Sequence, residues 1–385
     1  MPTSSTLVCT SLLRRSSATR HSGLKMSNSH QFSIEYRQYL RPDGTLSDAS
    51  PELATRLDEL TRLYQLMSLT RTFDAKAIAL QRTGKLGTYA SCLGHEAAHI
   101  GMGSAMRPED CFAPMYREYG AQFARGVKMS EVLLYWGGDE RGNDFSVPRH
   151  DFAWCVPIAT QCLHAAGAAL AFKLRKEPRV AVCVVGDGGT SKADFNSAVN
   201  AAGAWQLPMV LVIVNNQWAI SVPRKAQTGA ETLAQKGIAG GIRSLQVDGN
   251  DIIAMRAAMD EALARARADR GPTLIEAITY RLSDHTTADD ARRYRDQAEV
   301  DDAWTREPLK RLRVFLEARG VWDQAREDLW KITCAKKVDD AVAEYLAQPK
   351  PELGDMFDYL YAEMPVELKR QREHALRFPE LNHGH

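Results

Sequence analysis

The stretch from Arg179 to Asn216 constrains the fold more than any other part of the chain. Two apolar, β-branched runs, 179–185 and 209–214, flank a segment of helical length, 194–206. That segment carries an apolar stripe at Phe195, Ala198, Val199, Ala202 and Trp205. The turn between the first run and the helix is Gly186-Asp187-Gly188-Gly189. Strand, tight glycine turn, helix and strand in this order specify a right-handed βαβ unit with parallel strands. Both runs are apolar at every position rather than at alternate ones, so helices are expected on both faces of the sheet.

Asp187 and Asn216 fall just past the carboxyl ends of these strands, where open α/β sheets bind ligands. An acid and an amide at neighbouring strand ends can share one hard cation. Gly188 and Gly189 let backbone N–H groups come close to a phosphate. The combination points to Mg2+ held by few protein oxygens together with ligand phosphates. The bland alternative is a β-turn followed by an Asn-capped loop. A nucleotide-binding oxidoreductase of the Rossmann type would require a third glycine at G-x-G-x-x-G spacing, which Gly186-Asp187-Gly188-Gly189 lacks.

Elsewhere, 53–83 has helical periodicity through Leu57, Leu60, Leu63, Leu66 and Met67, and 96–106 reads as a small-residue helix. Residues 111–116 read as a short buried strand that ends at Tyr116-Arg117. Residues 137–150 form a long polar loop suited to a site rim. An alanine-rich helix over 159–173 precedes the βαβ unit, and strands at 243–247 and 273–280 flank a helix at 252–268. From 303 to 374 the pattern is helical and charged, with breaks near Gly320 and Pro349 to Pro351. The expected division is an N-terminal extension (1–31), an α/β domain (32–302) and a C-terminal helical region (303–385). The fold class is α/β, a mostly parallel sheet with helices on both faces and added C-terminal helices.

Composition narrows the function classes. Lys and Arg number 49 against 48 Asp and Glu, so no basic surplus suggests a nucleic-acid or acidic-membrane partner. The longest apolar runs are strand length, too short for a membrane-spanning helix. Seven irregularly spaced cysteines with no CxxC pair predict small buried roles in a reducing compartment, without a zinc site or disulfide framework. The first 25 residues hold Arg14, Arg15, Arg20 and Lys25, many serines and no acid. That fits either a mitochondrial transit peptide or sequence upstream of a start at Met26. A cytoplasmic, bacterial-type protein is the expectation, with the mitochondrial matrix as the alternative.

The glycine turn followed by Asn215-Asn216 resembles the thiamin diphosphate fingerprint. Three further segments strengthen the resemblance: Tyr116-Arg117-Glu118, Val156 to Gln161, and Tyr280 to Asp290 with His285 in its middle. Together with the ending Met364-Pro365-Val366-Glu367-Leu368, they resemble the alpha subunit of the decarboxylating first component of 2-oxo acid dehydrogenase complexes. The resemblance runs from about residue 32 to the C-terminus. It implies a thiamin diphosphate-binding fold and an oxidative decarboxylation with acyl transfer to lipoyl-lysine on a transacylase component. Pyruvate is the first expected substrate and 3-methyl-2-oxobutanoate the alternative.

The same resemblance implies site roles. Asp187, Asn216 and the Trp218 carbonyl match the Mg2+ ligands. Tyr116, Arg117, Gly188, Gly189 and Arg281 match positions around the diphosphate, where a guanidinium fork suits phosphate oxygens. Ile158 matches an apolar position under the bent cofactor, and Thr160 with Gln161 a K+ loop of the branched-chain branch. His285 is the expected catalytic histidine, aiding proton transfer during acyl passage to lipoate. Thr286 stands where relatives carry a regulatory phosphoserine. His95 and His164 are weaker candidates, His164 reading as a packing histidine. The chain departs from some pyruvate-type relatives in having no histidine in 137–149, which leaves a second catalytic histidine without a candidate. It also shows no pyrimidine-binding module with an activating glutamate. The resemblance places that module on a separate beta subunit, in an α2β2 heterotetramer.

Overall fold

The computed structural model describes residues 31–378, of which 34–378 pack as one compact unit. The expected N-terminal extension, but for Gln31, lies outside the described residues. Six parallel strands form the main sheet: β1 (Glu35–Arg37), β2 (Cys111–Ala113), β3 (Ala181–Gly186), β4 (Met209–Asn215), and, after a two-stranded ribbon of β5 (Trp218–Ala219) and β6 (Val222–Pro223), β7 (Arg243–Asp248) and β8 (Thr273–Ile278). Their spatial order is β1-β7-β8-β4-β3-β2. The helices are α1 (Leu57–Arg82), α2 (Glu96–Ala105), α3 (Tyr119–Arg125), α4 (Met129–Trp136), α5 (Thr160–Arg175), α6 (Ala193–Ala204), α7 (Arg224–Gln227), α8 (Gln235–Ala239), α9 (Ile252–Arg267), α10 (Gln297–Trp304), α11 (Pro308–Ala318), α12 (Gln324–Leu346), α13 (Asp355–Asp358) and α14 (Val366–Leu376).

The sandwich follows from the strand sequences. Ala181, Cys183, Val185, Met209, Leu211 and Ile213 bury one face against α5 and α6. The alternate residues Val182, Val184, Val210, Val212 and Val214 bury the other against α2 and α9. Every position in these strands therefore loses water, as continuous hydrophobicity requires. Small residues bring the layers close. Ala165, Ala166 and Ala169 of α5 and Ala198 and Ala202 of α6 are buried in the same cluster. The six cysteines among the described residues are all free and buried.

The strand β1 was not legible. Its sequence, Glu-Tyr-Arg, is polar and largely exposed, and pairing with Leu245 to Val247 on the sheet edge forms it. An edge strand needs no apolar alternation, and its charges suit that position. The strand read at 111–116 stops at Ala113, because Pro114 has no N–H to donate to the ladder. The helical stretch from 303 breaks again at Glu307, whose carboxylate caps the next helix through Leu309 N at 3.0 Å. Pro308 follows at the first helical position, where its missing N–H costs nothing.

The C-terminal helices share a core with the N-terminal ones. Leu309, Leu312, Phe315 and Leu316 of α11 pack with Leu60, Leu63, Tyr64 and Met67 of α1. Buried Glu327 on α12 accepts the Tyr64 hydroxyl at 2.7 Å and Trp322 Nε1 at 2.9 Å. Arg311 ties α11 to the end of β7 through Asp248 at 2.7 Å. Among the described residues no helix is long and apolar enough to cross a membrane.

Candidate active site

The parallel register of β3 and β4 sets Gly186 beside Val214, so Asp187 and Asn216 leave neighbouring strand ends within two residues of that pair. Both are buried, Asp187 at 3% exposure and Asn216 at 8%. Burial pushes the Asp187 carboxyl above its ordinary range, partly offset by a hydrogen bond from Gln227 Nε2 at 2.9 Å. Asn216 Oδ1 accepts from Trp218 N at 3.1 Å, which fixes the amide and starts β5. Trp218 is in turn held through its indole N–H by Glu299 at 3.3 Å. Asp187, Asn216 and Trp218 are thus gathered at one edge.

The turn after Asp187 has no room for side chains. A Cβ on Gly188 would stand 2.5 Å from Ala219 Cβ, and one on Gly189 would stand 2.3 Å from Val185 Cγ2 and 3.2 Å from Ile158 Cγ2. Ile158 therefore lies against the glycine turn. Among the described residues no three His, Cys, Asp or Glu side chains form a metal cluster. A cation at Asp187 would draw its remaining ligands from amide, carbonyl and ligand oxygens, as Mg2+ does with phosphates.

Arg117 and Arg281 are the central electrostatic feature. They come from loops after β2 and β8 and are 3% and 0% exposed. No carboxylate lies within salt-bridge reach of either among the described residues. Each instead turns one guanidinium nitrogen toward His285 Nδ1, at 3.2 Å from Arg117 and 3.3 Å from Arg281. Arg117 also donates to the carbonyls of His285, at 2.9 Å, and Ser91. Arg281 donates to Ile220 O at 2.9 Å and to the Tyr294 hydroxyl at 2.7 Å. Tyr294 passes that bond on to Asp289, which also accepts His285 N at 2.9 Å. Asp110, the acid seven residues before Arg117, is paired instead with Arg267 at 2.5 Å.

Two guanidinium donors facing one nitrogen make Nδ1 an acceptor, so the proton of a neutral His285 sits on Nε2. Burial, then Arg117 and Arg281, holds the imidazole down at about 3. The Tyr116 ring meets His285 edge-on at 6.3 Å and lies 5.4 Å from the Arg117 guanidinium carbon. Buried cations normally carry a paired anion, because desolvation is otherwise uncompensated. This donor set fits a polyanion with a divalent cation: two guanidiniums, a glycine turn, and an acid with an amide beside it.

Several contributors escaped the sequence reading. Glu118 is buried and pushed up to about 7 by desolvation, and it accepts Met115 N at 2.9 Å and Arg117 N at 3.2 Å, shaping the turn that presents Arg117. Gln227, the last residue of α7, and Tyr294, in the loop after β8, hold Asp187 and Arg281 without belonging to a recognisable motif. His95 and His99 are both buried, with rings 5.5 Å apart, and among the described residues none of their four ring nitrogens has a partner. Burial, His99 and the two arginines hold His95 well below its ordinary value. His164 is exposed and stacks on Phe152 at 5.6 Å. Gln161 Nε2 donates to Val184 O at 2.7 Å, its Oε1 is buried without a partner, and Thr160 Oγ1 reaches Asp194 at 3.4 Å. A cleft of about 930 Å3 is walled by Asn215, Trp218, Glu276, Tyr280 and Tyr294, and neither Arg117 nor Arg281 lines it.

Comparison with known proteins places this geometry. The profile described as "Dehydrogenase E1 component" matches residues 64–354. The chain is 41% identical over 360 residues to the 3-methyl-2-oxobutanoate dehydrogenase subunit alpha of Mycobacterium tuberculosis (strain H37Rv), covering 92% of this chain and 96% of that one. It is 41% identical over 327 residues to the pyruvate dehydrogenase E1 component subunit alpha of Acholeplasma laidlawii, covering 84% and 94%. Its identity to the protein of the same name from Staphylococcus aureus (strain Mu50) is 38% over 353 residues, covering 91% and 95%.

Proposed function

The chain belongs to the dehydrogenase E1 component family, and from that premise we propose that it is the α subunit of a 2-oxo acid dehydrogenase whose first substrate is pyruvate. It is a component of a thiamin diphosphate-dependent oxidoreductase. In our reading Arg117, Arg281, Tyr116, Gly188 and Gly189 receive the diphosphate, and Asp187, Asn216 and the Trp218 carbonyl hold Mg2+. Ile158 supports the cofactor's apolar side. Bound thiamin diphosphate supplies the electron sink for loss of carbon dioxide from a 2-oxo acid.

The observation that carries the proposal is the pair of buried guanidiniums without a carboxylate partner, converging on one imidazole beside the glycine turn. A dianionic group between them removes the uncompensated charge. A divalent cation at Asp187 favours the ionised carboxylate that burial disfavours. The same neutralisation acts on His285. Its depressed basicity comes first from burial and then from the two arginines, and an anion cancels the second part. The imidazole then moves toward the range in which it exchanges protons, with Nε2–H as the free donor.

Partners follow from this assignment. A β subunit completes the active site in an α2β2 heterotetramer, and the acyl group passes to a lipoyl-bearing transacylase component. The unpartnered Gln161 Oε1 supports a K+ site near Thr160 and Gln161. Bacterial relatives support a cytoplasmic setting. Branched-chain substrates form the second reading, favoured by the long alignment to the mycobacterial 3-methyl-2-oxobutanoate enzyme.

The test is co-expression with the β subunit, then turnover of pyruvate and 3-methyl-2-oxobutanoate with an artificial electron acceptor, with and without thiamin diphosphate and Mg2+. We expect cofactor-dependent turnover with the higher kcat/KM for pyruvate. A higher value for 3-methyl-2-oxobutanoate selects the second reading. An assembled heterotetramer that turns over neither refutes both.

A further inference from the structure

Asp74 lies in the middle of α1, seven residues after Met67 on the stripe that faces the core. It is 2% exposed, and no Lys, Arg or His lies within salt-bridge reach of it among the described residues. A carboxylate in that position needs several donors to offset its desolvation. It has three, and all come from one short segment: Tyr89 Oη at 2.8 Å, Ser91 Oγ at 2.6 Å and Cys92 N at 2.8 Å.

That segment touches the candidate active site from behind. The Ser91 carbonyl accepts Arg117 Nη1. Tyr89 exchanges bonds with the loop that carries His285: Tyr89 N donates to Thr287 Oγ1 at 3.0 Å and Thr287 N donates to Tyr89 O at 2.9 Å. Leu282 N donates to Leu93 O at 3.2 Å, just past the segment. The Ala90 carbonyl accepts the Tyr119 hydroxyl at 2.8 Å, two residues after Arg117.

We propose that Asp74 is a positioning residue for this active site, setting Arg117 through the Ser91 carbonyl and the His285 loop through the Tyr89 backbone. The proposal rests on the reading that Arg117 binds the diphosphate and His285 serves acyl transfer. Asp74 touches neither side chain. It acts by fixing segment 89–92 from the α1 side, opposite the bonds that the segment makes to the two functional loops. A buried carboxylate of purely structural use would tie the core together without favouring the two functional loops.

The experiment uses the assembled heterotetramer. Asp74→Asn keeps the volume and one acceptor but removes the charge and the second acceptor. Thiamin diphosphate affinity is measured with Mg2+ present, alongside thermal stability, decarboxylation with an artificial acceptor, and acylation of a lipoyl domain. We expect the dissociation constant to rise about tenfold, the scale of one lost hydrogen bond to a charged group. Acylation should fall further than decarboxylation at saturating cofactor, because the His285 loop is loosened as well. Glu327→Gln removes a comparable buried carboxylate from the α1–α12 contact and should lower the melting temperature while leaving cofactor affinity unchanged. Equal weakening by both variants, or unchanged binding and an unchanged ratio of activities in Asp74→Asn, overturns the proposal. Where Asp74→Asn does not assemble, Ser91→Ala removes only the hydroxyl that Asp74 holds. It should weaken binding in the same direction, and wild-type binding there overturns the proposal equally. Arg117→Lys separates the two levels. Unchanged affinity in that variant refutes the role of Arg117 and the inference with it, whereas loss in Arg117→Lys without loss in Asp74→Asn refutes the inference alone.

Discussion

Gly188→Ala tests the geometry of the glycine turn with a single methyl group. The new Cβ would lie 2.5 Å from Ala219 Cβ and 3.0 Å from Gln227 Oε1. Carbon atoms settle at about 3.5–4.0 Å, so the β5–β6 ribbon must retreat by roughly 1 Å or the turn must shift. Either movement disturbs the cation position from two sides. Ala219 follows Trp218 on the ribbon, and Gln227 is the hydrogen-bond donor to Asp187. Gly188 does not occupy the left-handed region, so lack of space is the whole of the expected effect. Overpacking of this kind costs roughly 1–3 kcal/mol, which corresponds to roughly a five- to hundredfold loss of cofactor affinity. The control is Gly167→Ala in α5, where nothing lies within 4 Å of the added methyl. There an alanine gains about 0.5–1 kcal/mol of helix stability. The assay is titration of thiamin diphosphate and Mg2+ into the heterotetramer, with thermal melting of both variants. Wild-type affinity in Gly188→Ala would show that the turn and ribbon do not bound the cofactor.

Asp187→Ala should abolish Mg2+-dependent cofactor binding while the circular dichroism spectrum stays unchanged, and retained Mg2+ dependence would remove the metal assignment. His285→Ala should impair acylation of lipoate more than decarboxylation, whereas equal loss in both would reduce its role to ordering the loop. His99 gives a pH prediction. Burial, then Arg117, holds it at about 3 against an ordinary 6.5. A depressed value means that its neutral form suits the fold above pH 6.5 and that stability is lost as pH falls toward 3. At pH 5 the loss is about 2 kcal/mol, at 1.36 kcal/mol per unit. Glu118 and Asp251, raised to about 7 and about 6, act in the opposite sense over the same interval. The effect must therefore be read as a difference. Between pH 7 and pH 5 the stability of His99→Gln should gain about 2 kcal/mol relative to wild type, and a constant difference would refute the assignment of a neutral buried imidazole.

Legibility followed the range of the interactions. The βαβ unit was readable because its signals are local: apolar runs, a helical stripe and a glycine turn within forty residues. Asp187, Asn216, Arg117 and His285 could be named as candidates because each sits in a short motif. What joins them was not readable. The meeting of Arg117 and Arg281 at one imidazole spans 168 residues of chain, and no period or spacing encodes it. Gln227, at the end of α7, and Tyr294, in the loop after β8, belong to no motif, and Gln227 reaches Asp187 only because β3 and β4 pair. Asp74 did leave a trace, a charge on the buried stripe of α1, but its partners lie in a loop and the trace does not say which. The edge strand β1 was lost for a different reason: pairing alone makes it a strand.

These observations bear on why the site is built on buried arginines. An exposed arginine would bind phosphate weakly through screened, flexible contacts. Burial fixes the fork and lowers the local dielectric, so an anion gains more from each contact, but the desolvated cations then lack a permanent partner. The fold meets that cost with neutral acceptors. Ser91 O, His285 O, Ile220 O and the Tyr294 hydroxyl all accept from the two guanidiniums without neutralising them. A carboxylate in any of those places would stabilise the protein alone more effectively and, in the proposed reading, would compete with the diphosphate. Neutral acceptors hold the arginines in position and leave their charge for the ligand. One acid, Asp289, stands one hydroxyl away from Arg281, behind Tyr294. In the proposed reading the arrangement gives up some stability of the folded chain in return for a site already shaped for a polyanion.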